Sequence, residues 1–175
     1  MSNILTSIHG RRLGLMAAMQ LLARGGLTPG DESIVDVTTA TLTVTAAKHA
    51  GKIITLNRAA GITVTLPAAT GSGMVYEFVV GTTVTSNNDI IKVANASDVF
   101  KGFVVQAQDA GATANIYETA ATDDTLTMNG TTTGGLAGDR FTFRDVKLNG
   151  TTPLWLLQGF MAATGTEATP LSATV

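Results

Sequence analysis

The chain has 175 residues, 45% of them apolar and only 14% charged, with a formal net charge of −2 and a pI near 5.6. That balance excludes a disordered polyelectrolyte and supplies no clustered positive charge for a phosphate backbone, so no nucleic-acid partner is expected. The absence of cysteine removes disulfides, thiolate metal sites and a cysteine nucleophile, and the length suits one well-buried domain with an appendage.

Near the N-terminus, Arg11 and Arg12 precede the run Leu13-Gly14-Leu15-Met16-Ala17-Ala18-Met19-Gln20-Leu21-Leu22-Ala23. A charge followed by an apolar run is also how a secretory leader reads, which makes a cleaved leader the competing expectation. About eleven residues are too few to span a bilayer, so no membrane partner is expected. Arg24 closes the run, and Gly25-Gly26 is a helix stop. The reading adopted is an assembly arm over residues 1–30 that packs on another subunit or on the chain's own body. Its contact residues are Arg11, Arg12, Leu13, Leu15, Met16, Met19 and Leu22. The turn formers Leu27-Thr28-Pro29-Gly30-Asp31 divide the arm from a β-rich domain over 31–175.

From Ser33 onward β-branched residues alternate with threonine, the pattern of a strand with one buried face. Val35 and Val37 are out of phase with Leu42 and Val44, so a bulge or a break is expected between them. Lys52 to Asn57 and Ile62 to Leu66 flank Arg58-Ala59-Ala60-Gly61, the length of a four-residue hairpin loop, and are expected to be antiparallel neighbours. Met74-Val75-Tyr76-Glu77-Phe78-Val79-Val80 is apolar in both phases apart from Glu77 and reads as a central strand covered on both sides. Short strands are expected at Ile90 to Val93, Phe100 to Val105, Asn115 to Tyr117 and Leu126 to Met128. Asn149-Gly150 marks a tight hairpin between the segment from Asp139 to Lys147 and the one from Leu154 to Leu157. Residues 165–175 read as an extended tail. About nine or ten strands at roughly ten-residue intervals predict an all-β fold. The expected form is an antiparallel β-sandwich, jelly-roll or barrel-like domain with an N-terminal helical or extended arm.

Chemistry is poorly supplied. His9 and His49 are the two histidines, in separate segments with no carboxylate at ligand spacing, so neither catalysis nor a metal is expected of them. The segment from Gly130 to Asp139 has the glycines of a phosphate-cradling loop but lacks its Lys-Ser/Thr ending and runs into a strand. It reads as a loop between strands, and Thr70-Gly71-Ser72-Gly73 reads the same way. Asp31-Glu32, Asn87-Asn88-Asp89 and Asp123-Asp124 are expected on surface turns, where weak calcium binding is the alternative for the latter two. A glycosidase would need aromatic platforms beside paired carboxylates, whereas Trp155, Tyr76 and Tyr117 sit in strand patterns where core packing is the default. No catalytic residue, cofactor or metal is therefore assigned.

The stretch from Asn3 to Leu15, NILTSIHGRRLGL, resembles the opening of small virion structural proteins of tailed bacteriophages. The stretches from Gly61 to Gly73 and from Gly134 to Asp139 are similar to phage head decoration, or cement, proteins. The resemblance implies a non-enzymatic protein on the capsid surface of the virion. Such a protein binds the major capsid protein at symmetry axes or between capsomers and reinforces the shell, as a homo-oligomer with a trimer favoured. A head-fibre, tail or adaptor component is the alternative within that class. A secreted carbohydrate-binding or hydrolytic β-domain is the alternative outside it.

Overall fold

The computed structural model describes residues 33–109 and 111–175. Residues 1–30, read above as an assembly arm, and Asp31-Glu32 lie outside the described residues. Twelve strands and one short helix follow in order: β1 (Ile34–Val37), β2 (Thr41–Thr43), α1 (Ala46–His49), β3 (Ile53–Leu56), β4 (Thr63–Thr65), β5 (Val75–Val80), β6 (Asp89–Lys92), β7 (Phe100–Ala107), β8 (Ala114–Glu118), β9 (Thr125–Met128), β10 (Arg140–Leu148), β11 (Thr152–Ala162) and β12 (Leu171–Ser172).

Two sheets form the body, a seven-stranded one in the order β1-β3-β5-β10-β11-β7-β8 and a five-stranded one in the order β12-β9-β6-β4-β2. Their inner faces meet in one core. Tyr76, Phe78, Phe100, Phe143 and Trp155 come from the larger sheet, and Val64, Ile91, Leu126 and Met128 from the smaller. The fold is thus an all-β sandwich, as the alternation predicts.

Strand direction departs from the antiparallel expectation. β1, β3 and β5 run parallel to one another, as do β2, β4 and β6, and β7 is parallel to β11. The first six strands alternate between the two sheets, so the chain winds around the core and returns to each sheet in the same direction. The Arg58-Ala59-Ala60-Gly61 loop is consequently an arch from β3 in one sheet to β4 in the other, and the expected hairpin between them does not form. Both strands still bury one face, with Leu56 and Ile62 fully enclosed. A period of two reports burial but cannot say whether the partner face is beside the strand or across the core. Gly61 (φ 77°) makes the arch possible, because a Cβ there would run into the backbone of Asn88. The Arg58 guanidinium closes the arch by donating to the carbonyls of Ala60 and Gly61 at 2.9 and 2.6 Å.

The phase change after Val37 is a break, since β1 and β2 belong to different sheets. The Asn149-Gly150 hairpin forms as its sequence predicts, with φ values of 53° and 72° and a nine-pair register from Arg140↔Phe160 to Leu148↔Thr152. β5 lies inside its sheet, between β3 and β10, yet only Tyr76, Phe78 and Val80 are buried. Val75, Glu77 and Val79 are half-buried on the other face, which corrects the expectation of cover on both sides. The C-terminal stretch contributes β12, whose Leu171 is buried against β9.

Phe143 is the hub of the aromatic core, edge-on to Phe78 at 5.8 Å and tilted against Phe100 at 5.1 Å. Truncating it removes transfer energy and leaves a cavity between both neighbours. The Phe143→Ala variant is expected to lose about 3–5 kcal/mol in urea denaturation, the range for a buried phenylalanine.

Candidate functional site

Several groups that could carry acid-base chemistry are engaged in holding the fold. His49 is buried at the end of α1, where its Nδ1 lies 2.9 Å from the Thr45 backbone N–H. His9 lies outside the described residues. Asp89, Asp123 and Asp124 were expected on solvated turns, and instead all three are buried. Each has turned inward because a loop presents backbone N–H groups that no strand satisfies. Asp123 accepts from Ala120 N–H at 2.8 Å. Asp124 accepts from the N–H groups of Thr174 and Val175 and from the Thr125 hydroxyl. Among the described residues no group of three or more metal-binding side chains occurs.

Asp145 and Asp139 explain the two glycine-rich loops. The Thr70-Gly71-Ser72 segment wraps the Asp145 carboxylate with the N–H groups of all three residues and both hydroxyls, at 2.6–3.2 Å. In the second loop, Gly135 and Leu136 donate to Asp139 at 2.8 and 3.1 Å, and Ala162 N–H reaches its other oxygen at 2.9 Å. Both loops do cradle an anion, and the anion is a side chain of this same chain. Both lie between strands, as expected from their sequences.

The carboxyl pKa values divide by this surrounding. Burial pushes Asp145 up, but the Ser72 hydroxyl and the N–H donors outweigh it and hold the group below the ordinary range. Asp124 is likewise lowered: its burial is overcome by Thr174, Thr125 and Val175 and by the charge of Lys92. Burial prevails at Asp139, which is raised despite three N–H donors. It prevails most at Asp89, which is pushed up to about 6 against the N–H of Ile62 and the charge of Arg58. One Asp89 oxygen accepts from Ile62 N–H at 2.7 Å, and the other has no partner among the described residues.

Tyr76 and Trp155 are enclosed and pack edge to face at 5.6 Å, so neither offers a sugar platform. Tyr117 is half-buried against the core. An open cleft of about 570 Å³ lies beside the arch, bordered by Arg58, Asn87 and Asn88, with no carboxylate or histidine in its wall.

What remains is the outside of the sandwich, and its two faces differ in kind. The five-stranded sheet presents Thr41, Thr43, Thr63, Thr65 and Thr127 beside Ile90 and Lys92, an uncharged hydroxyl surface with one cation. The seven-stranded sheet presents mixed rows in which exposed apolar side chains stand among charged and polar ones. One row runs Val79, Arg140, Phe160, Val105, Ile116, and the next runs Ile34, Ile53, Glu77, Thr142, Gln158, Phe103, Glu118. Ile116, Phe160 and Ile34 are 67%, 55% and 52% exposed. The Arg140 guanidinium lies 5.4 Å from the centroid of the Phe160 ring, and shallow grooves run between β10 and β11 past Thr142 and Gln158. Sequence reading foresaw the threonine surface but missed this face. The signal was present in Phe103 and Phe160, each out of phase with the buried set of its own strand, and in Ile116, out of phase with the half-buried Asn115 and Tyr117. No protein-family model, curated protein or solved structure matches the chain.

Two outcomes test the aspartates. Asp145→Asn replaces a full acceptor with a group that brings donors toward five donors, and is expected to cost about 2–4 kcal/mol in urea denaturation. Asp89 tests the opposite sign. Its folded pKa of about 6 exceeds the ordinary 3.8, so its stabilising contribution is complete below pH 4 and is lost as pH rises to about 6. The slope of melting temperature against pH in that window should be shallower in Asp89→Asn than in the wild type, whatever the change in absolute stability.

Proposed function

We propose that the chain is a non-enzymatic structural protein of a tailed-phage virion. Its role is to decorate the outer capsid shell, binding the major capsid protein as a homo-oligomer and stabilising the head. The observation that carries this reading is the outer face of the seven-stranded sheet, where Ile34 and Ile53 stand exposed on β1 and β3 and Phe160, Phe103 and Ile116 on β11, β7 and β8, with both signs of charge between them. Exposed apolar surface of this kind marks a binding surface. Interleaved Arg140, Arg144, Glu77 and Glu118 would set register against a partner more than raw affinity.

The sequence resemblance supplies the partner class and the preference for three copies. The composition supports the same role. A threonine-rich exterior with few long charged side chains forfeits little rotamer entropy when surfaces meet. Modest contacts repeated over many copies then accumulate by multivalency. The buried aspartates serve loop backbones, which suits a protein whose task is to stay folded and bind.

Selective binding to the assembled shell raises its stability by mass action. Particles carrying the protein are expected to release their genome at a higher temperature than bare particles. The double variant Phe103→Asp, Phe160→Asp should keep its fold by circular dichroism and lose occupancy on the particle. Equal release temperatures with and without the protein would sink the cement reading and favour a fibre or adaptor role. Wild-type occupancy by the double variant would remove this face from the contact.

A further inference from the structure

Among the described residues β8 ends the seven-stranded sheet, with no strand paired to its outer edge. Ala114, Ile116 and Glu118 are exposed on the outer side, while Asn115 and Tyr117 are half-buried on the inner side. Proteins that keep an edge strand single protect it with charged side chains, proline, a bulge or a covering segment. β8 carries one charge, Glu118 at its end, and no lysine, proline or bulge. Its sequence is Ala-Asn-Ile-Tyr-Glu, in unbroken register with β7 from Phe103↔Glu118 to Ala107↔Ala114.

The hydrogen-bond phase of this edge can be read from its two ends. Thr119 N–H donates to the Gly102 carbonyl at 3.0 Å, and Gln108 N–H donates to the Thr113 carbonyl at 3.2 Å. Bonded pairs alternate along an antiparallel ladder, so the bonded partners between those ends are Tyr117 with Val104 and Asn115 with Gln106. Ala114, Ile116 and Glu118 therefore turn their N–H and C=O groups away from β7, toward the open edge.

We propose that β8 pairs with β8 of a second copy of this chain, antiparallel about a two-fold axis at Ile116. This register sets Ile116 against Ile116 and Ala114 against Glu118 of the other copy. Every outward backbone group then finds a partner, in about six hydrogen bonds. Charge selects the same register. Glu118 is the one charged residue of β8, and centring on Ile116 places the two carboxylates ~13 Å apart along the strands, each facing an alanine. A register centred on Glu118 would oppose them directly. The pairing also joins the apolar row Phe160, Val105, Ile116 to its copy, so the two seven-stranded sheets present one continuous outer face. An isologous contact of this kind joins chains in pairs whatever further symmetry the assembly has.

The test uses the purified full-length protein, without particles, so its outcome is separate from that of the capsid reading. Because the chain has no cysteine, Ile116→Cys adds a single thiol. In a bonded antiparallel pair the opposed Cα atoms lie ~5.5 Å apart, within disulfide range. Mild oxidation should convert most of Ile116→Cys to a covalent dimer and leave Thr41→Cys, on the outside of the other sheet, as single chains. Ile116→Pro removes an N–H that points away from β7, so the variant should keep its β-rich circular dichroism while its mass by light scattering halves. In the wild type the amides of Ala114, Ile116 and Glu118 should exchange at least ~10-fold more slowly at high than at low protein concentration. Failure of Ile116→Cys to cross-link, or amides at these three positions that exchange freely at every concentration, overturns the pairing. So does an unchanged mass for a folded Ile116→Pro. Should that variant not fold, the cross-link and the wild-type amides decide.

Discussion

A chain that crosses repeatedly between two sheets leaves backbone N–H groups stranded at its crossings, and aspartate carboxylates are what satisfies many of them. Asp145 gathers the loop before β5, Asp139 the loop before β10, and Asp124 the C-terminal residues. Asp89 holds the start of β4 through Ile62, and Asp98 holds Ala69 at 2.9 Å. Each bond is short, charge-assisted and enclosed, the setting in which such bonds are strongest. Leaving those donors unmet inside the protein would cost more than the bonds contribute net, so the loops depend on the carboxylates more than bond counting suggests. The low charge content of the chain makes the placement more telling, since so large a share of its few acids lies inside.

Carboxylates committed to loop backbones are poor general acids or bases, because their donors would have to be released before they could act. Surface character then falls to what the strands expose. The smaller sheet exposes threonine, and the larger exposes phenylalanine and isoleucine among paired signs of charge. A sandwich with two such different sides has a direction, one side suited to solvent and the other to a partner. The open β8 edge extends the second side laterally, so contact with a shell and contact between copies would draw on the same sheet.

Much of this was legible before any coordinates. Threonine alternation gave the class, Asn149-Gly150 its hairpin, and the out-of-phase valines before Leu42 the break between β1 and β2. The aromatic residues of the core were assigned to strands correctly. Less legible were the aspartates, because Asp and Asn favour turns for local backbone reasons, and that preference is silent on whether the carboxylate faces water or folds back over the loop. The phosphate-loop likeness of the two glycine-rich segments was chemically apt yet misdirected, since the anion each one holds is a side chain of the same chain, more than seventy residues away for Asp145 and three or four for Asp139.

What the sequence determined by itself is which residues of a strand share a face, because alternation along a strand is a local property of the pleat. It therefore settled the all-β class and most strand positions. Apart from the Asn149-Gly150 hairpin, only the tertiary structure decided which strands are neighbours. Leu56 and Ile62 are equally apolar whether their strands lie side by side or face one another across the core, and four residues can serve as a hairpin or as an arch. The choice was made by contacts remote in sequence, among them the close approach of Gly61 to Asn88 and the bond from Ile62 to Asp89. The same holds for the outer apolar rows, which exist only once β5, β10, β11, β7 and β8 are set side by side in register.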